Sequence, residues 1–134
     1  MQFNYIFERY HSFTEINGIT FKRKLKNQTA FDGIIKIYSM KTSSTKLTQM
    51  LKGKFFGNFF YSCGRGIFLR MFNGIESWPN TSLIFIDLED MTLVTIKKTD
   101  SSWNVWTANC LGDGKYSISI SPEQNIEYQI PYKY

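Results

Sequence analysis

The chain has 134 residues, a formal net charge of +5, 43% apolar and 17% aromatic side chains, and two cysteines, Cys63 and Cys110. That length fits one domain burying about two-thirds of its unfolded surface. The cysteine count excludes a zinc site or thioredoxin-like motif, and no apolar segment approaches the length of a membrane span. The charge is unevenly placed, with twelve Lys/Arg against three Asp/Glu in residues 1–70 and four against eight in residues 71–134. A split this steep points to a surface that meets something anionic.

In chain order, Phe3, Tyr5 and Phe7 alternate with Asn4, Ile6 and Glu8, the two-residue period of a half-buried strand. Asn17-Gly18 is a hairpin turn. Beyond it, Ile19, Phe21, Arg23 and Leu25 form one face of a predicted strand, and Thr20, Lys22, Lys24 and Lys26 form the other. Asp32-Gly33 turns the chain into the apolar run at 34–38. Residues 42–54 are the one predicted helix: Ser43 or Ser44 caps it, Leu47, Met50 and Leu51 share a face, and Gly53 ends it. Strands are expected at 55–62 and 67–72, on either side of the bend Cys63-Gly64-Arg65-Gly66, and Asn73-Gly74 closes another turn.

In the second half, residues 82–88 and 91–98 alternate as a hairpin around Glu89-Asp90. Thr99-Asp100-Ser101-Ser102 is a turn cluster, followed by a strand at 103–110 in which Trp103 and Trp106 have opposite parity. Gly112-Asp113-Gly114 turns into Tyr116, Ile118 and Ile120, which alternate with serines. Pro122 marks the last strand, 126–132, as an edge or rim strand.

Nine or ten short antiparallel strands with one short helix predict a mainly β chain, a single 1–134 domain folded as a small antiparallel barrel or two-layer sandwich. A barrel is favoured because closure leaves no hydrophobic edges. Size and strand count resemble those of the lipocalin and fatty-acid-binding group, although the N-terminal Gly-x-Trp signature of that group is absent.

The candidate binding residues are Lys22, Arg23, Lys24, Lys26, Lys36, Lys52, Lys54 and Arg65, with Lys41, Lys46 and Arg70 adding to the basic surplus. Lysine supplies point charge without the bidentate fork of arginine, so the pattern points to a generic polyanion, either nucleic acid or an acidic protein surface. The run from Lys52 to Tyr61 is similar to the basic–Gly–aromatic–Gly–aromatic strands of RNA-recognition domains, with Asn58 where an aromatic belongs and without the β-α-β-β-α-β order. The alternative for this run is a core strand in which Gly57 marks a bulge.

No catalytic, metal or cofactor site is expected. His11, the sole histidine, lies four residues before Glu15 and beside Arg9, but residues four apart on a strand are about 13 Å apart. Asp87, Glu89 and Asp90 read as a solvated turn rather than a calcium site. Gly64-Arg65-Gly66 lacks the helix that a phosphate loop requires.

The expected function is a non-catalytic, cytoplasmic binding protein that makes no membrane contact and engages an anionic partner through its basic N-terminal half. Two other readings stay open: a barrel around a small hydrophobic or anionic ligand, and a small ribonuclease centred on His11. Richness in Lys, Ile, Asn and Phe also resembles phage or mobile-element coding, in which small inhibitors of host proteins are common.

Overall fold

Alternation and tight turns make each strand pair with its sequence neighbour, and the ladders of the computed structural model follow that rule throughout. The structure describes residues 9–28, 36–72, 81–99 and 105–131. The predicted strand at 3–7, the turns Asp32-Gly33 and Asn73-Gly74, and Trp78 and Trp103 lie outside the described residues. The chain divides into two compact units, Met1–Ser101 and Ser102–Tyr134.

The first unit holds β1 (His11–Ile16), β2 (Ile19–Gln28), β3 (Lys36–Thr42), α1 (Thr45–Leu51), β4 (Phe55–Cys63), β5 (Gly66–Phe72), β6 (Thr81–Asp87) and β7 (Thr92–Thr99). Its seven strands form one antiparallel sheet in chain order. The predicted Asn17-Gly18 turn has positive φ at both residues, 51° and 81°, which a right-twisted hairpin requires. One face carries a core of Ile16, Phe21, Met40, Phe56, Ile67, Leu69, Ile84 and Ile86, against which Leu47 and Leu51 of α1 pack. The fold is mainly β with one short helix, as the alternation predicts.

The favoured closure into a barrel is not seen: β1 and β7 are the two ends of an open order. Both edges carry the features that discourage edge pairing. Phe13 is an extra residue in β1 between the pairs Ser12↔Lys22 and Thr14↔Phe21. Ile96 is an extra residue in β7, which also exposes Lys97 and Lys98.

The sheet nevertheless curls. β3 pairs with β4 only at Tyr38↔Phe56. Immediately afterwards β4 places Gly57, Asn58 and Phe59 opposite Arg70 alone, between Phe56↔Met71 and Phe60↔Leu69. This wide bulge, at the glycine that marks it in the sequence, bends β4 away from β3 and towards β1. Phe13 then packs edge-on against Phe60 at 4.9 Å, and the Asn17 amide donates to the Gly64 carbonyl at 2.8 Å.

The helix is shorter than the predicted 42–54 because its first residues are held in other hydrogen bonds. Thr42 stays in β3 and donates its N–H to Thr48 Oγ1 at 2.8 Å, and the Ser43 N–H donates to the Thr20 carbonyl at 3.0 Å. Ser44 is the cap, accepting from the Leu47 N–H at 3.2 Å. Ser44→Ala is expected to lower stability by about 1 kcal/mol. Urea unfolding checks this, and an unchanged midpoint would show that the Thr42–Thr48 pair holds the helix start without the cap.

The second unit holds β8 (Thr107–Gly112), β9 (Lys115–Ser121) and β10 (Gln124–Gln129), ordered β10-β9-β8. Central β9 buries Ile118 and Ile120, and β10 is an edge strand, as Pro122 predicts. Trp106 and Ile130 are also buried. Lys115 pairs with Glu127 at 3.0 Å, but both are well exposed and the pair adds little stability. Among the described residues, no helix is long and apolar enough to cross a membrane.

Candidate nucleic-acid interface

Register decides which lysines meet. In the β2–β3 ladder Lys22 lies opposite Lys41, and Lys24 opposite Ser39, so these residues share one face of the sheet. Tyr10, just before β1, lies over this face. Its hydroxyl is 3.1 Å from Ser39 Oγ, and the Lys24 and Lys41 ammonium groups are 5.3 Å and 4.4 Å from its ring centroid, within cation–π range. Like charges directly opposite each other across a ladder destabilise it. An anion over Lys22 and Lys41 relieves that repulsion.

Lys26 interrupts the ladder. Leu25 pairs with Tyr38 and Asn27 with the next residue, Ile37, so Lys26 is an extra residue with no partner on β3. Lys26 lines a cleft of about 480 Å³ beside β3 and the end of α1, which Tyr10 and Ser39 of the Lys22/Lys24 face also line. Lys41, Lys52 and Lys54 line the same cleft, over a floor that includes Met40, Leu51 and Phe55. Lys52 and Lys54 flank Gly53, whose φ of 79° makes the tight turn that ends α1. Among the described residues, none of Lys22, Lys24, Lys26, Lys41, Lys52 and Lys54 forms an ion pair.

Three other candidates lie elsewhere. Arg23 points to the opposite face, where its guanidinium carbon is 4.8 Å from the Phe13 centroid, 4.4 Å from Tyr38 and 5.6 Å from Phe60. It also donates to the Asn58 carbonyl at 3.3 Å. Burial pushes this guanidinium below its ordinary value, with Tyr38 opposing the shift, and Arg23 pins the curled β1–β4 approach. Lys36 begins β3, opposite Gln28 and roughly 17 Å along the strand from Lys41.

Arg65 is occupied by carboxylates. Its Nη2 lies 2.8 Å from Asp87 Oδ2, its Nε 3.2 Å from Glu89 Oε2, and its Nη2 3.8 Å from Asp90 Oδ2. Glu89 and Asp90 are exposed, as expected of a solvated turn, but Asp87 is not. Asp87 is buried, and its Oδ1 accepts from the N–H groups of Glu89 at 2.9 Å and Asp90 at 3.3 Å, so one carboxylate holds both the turn and Arg65. The cross-strand pair Gly66↔Asp87 brings them together.

In the run similar to RNA-recognition strands, Phe56 is buried in the core and Phe60 packs on Phe13, while Lys52, Gly53, Lys54 and Phe55 line the cleft. His11 and Glu15 are exposed on β1, opposite Arg23 and Thr20 respectively. Both cysteines are free, Cys63 half-buried and Cys110 exposed. No group of three or more His, Cys, Asp or Glu among the described residues has the arrangement of a metal site.

The sequence reading left Tyr10 and Ser39 out and counted Lys41 only towards the surplus. Their juxtaposition depends on the β2–β3 register, which no local pattern specifies. Comparison with known proteins finds no matching family, no similar curated protein and no similar solved structure.

Proposed function

We propose that the chain is a non-catalytic binding module whose β2–β3 lysine face engages the phosphate backbone of single-stranded nucleic acid. The observation that supports this best is the gathering of six lysines on one face and its adjoining cleft without a carboxylate partner among the described residues. Uncompensated lysines repel one another, and phosphates offset that cost by counterion release.

A single strand is favoured over an acidic protein by spacing. Lys22 and Lys24 project from one face at a repeat of roughly 6.6 Å, close to the phosphate repeat of an extended strand. Lysine without arginine forks favours backbone contact over base readout, so binding is expected to be sequence-tolerant. The lipocalin-like reading has less support, because the core face of the seven-stranded sheet is filled by its own side chains and α1. Two free cysteines, one exposed, fit the reducing cytoplasm in which the proposal places the chain.

A salt titration of binding to a labelled oligodeoxythymidine tests the proposal. Four to six phosphate contacts predict a log–log slope of about −3 to −4. A slope near zero would overturn it, and tighter binding to polyglutamate of equal charge would redirect it to an acidic protein.

A further inference from the structure

Two kinds of lysine site adjoin each other, and their charge densities differ. On the open face, Lys22 and Lys24 follow each other along one strand, an arrangement suited to successive phosphodiesters with one negative charge each. In the cleft, Lys26, Lys41, Lys52 and Lys54 surround a single space of about 480 Å³. Four lysines lining one space bring more positive charge than a diester needs. A phosphate monoester carries a charge of about −1.5 to −2 and three terminal oxygens, each able to accept from an ammonium group.

We infer that this cleft seats the terminal phosphate monoester of a nucleotide, with the rest of the strand leaving over Lys24 and Lys22. The inference rests on the nucleic-acid reading of the lysine face. The cleft lies within the range of small-ligand sites, and its apolar floor of Met40, Leu51 and Phe55 offers a base or sugar a contact that a bare inorganic ion cannot use.

The end of α1 opposes an anion less than a bare helix C-terminus would. The carbonyls of Gln49 and Leu51 already accept from the N–H groups of Lys52 at 3.3 Å and Lys54 at 3.1 Å, which takes up two of the four acceptors at this helix end. Lys41 joins the two sites: it is in the cleft wall, lies opposite Lys22, and sits 4.4 Å from the Tyr10 ring.

Fluorescence anisotropy on the full chain tests this with oligodeoxythymidines of about eight nucleotides carrying a 5′-phosphate, a 3′-phosphate or hydroxyls at both ends, and with thymidine monophosphate and inorganic phosphate as competitors. One phosphorylated end is expected to bind about tenfold more tightly than the hydroxyl-ended strand. That preference should vanish in a Lys52→Ala/Lys54→Ala variant, whose weaker binding is the same for all three strands.

If thymidine monophosphate competes as well as the phosphorylated strand, the source is a free nucleotide, and weaker competition assigns it to a strand end; either outcome supports the site. Inorganic phosphate competing equally with thymidine monophosphate would overturn the nucleotide assignment. Equal binding of all three strands, or a preference that survives Lys52→Ala/Lys54→Ala, would overturn the cleft while leaving the lysine face standing. Failure of every oligonucleotide and nucleotide to bind would overturn both.

Discussion

Asp87→Ala is expected to cost about 3 kcal/mol, the lower end of the range for breaking a buried ion pair. The carboxylate is buried, holds Arg65 through Nη2 and Nε at 2.8 Å and 3.0 Å, and accepts two turn N–H groups. Removing it leaves a mostly buried guanidinium with only the more exposed carboxylates of Glu89 and Asp90. Those two keep the loss from reaching the upper end of about 5 kcal/mol. Asp87→Asn retains an acceptor for the turn and should lose less. Urea unfolding with an unchanged m-value reads both variants. A loss under about 1 kcal/mol for the alanine variant would show that Glu89 and Asp90 recapture Arg65 completely.

Lys24→Glu combined with Lys41→Glu is expected to weaken oligonucleotide binding about a hundredfold at low salt, while stability falls by only about 1 kcal/mol. The two measurements separate because the effects on folding partly cancel. A carboxylate at position 41 faces Lys22 directly and turns a like-charge pair into an opposite-charge one, a gain of up to about 1 kcal/mol. Against that gain stands the loss of the two ammonium contacts with Tyr10, each about 0.5–1 kcal/mol at an exposed site. Binding loses two cations and meets two new anions. An affinity that stays within about threefold would remove this face from the interface.

Much of the fold was legible because its signals are local. Asn17-Gly18 made the turn it favours, Ser44 capped the helix, Gly53 ended it, and Gly57 marked the bulge in β4. Open order rather than closure was not legible, because strand alternation reads the same in both. The binding surface was half legible. Lys22 and Lys24 stand on one face as their parity requires, and Lys52 and Lys54 line the adjoining cleft.

What escaped the reading depends on registers between distant strands. The two-residue period runs unbroken through Lys22, Lys24 and Lys26 and gives no sign of the unpaired position at Lys26, nor of the cleft it lines with Ser39 and Lys41. Arg65 looked like a free cation because its partner Asp87 is reached only through the β5–β6 ladder. Arg23 looked like its lysine neighbours although its face of the strand is aromatic, lined by Phe13, Tyr38 and Phe60.

The bulge at Lys26 has a consequence for how this surface can change over generations. A substitution there alters what stands in the cleft wall and keeps the bulge, whereas loss of the Lys26 codon removes the cation and the unpaired position together and restores unbroken alternation between β2 and β3. The cation can thus be lost by a change of residue or by a change of length, and only the second also straightens the strand. A lineage can close or open this corner of the cleft by changing length while every other lysine keeps its place.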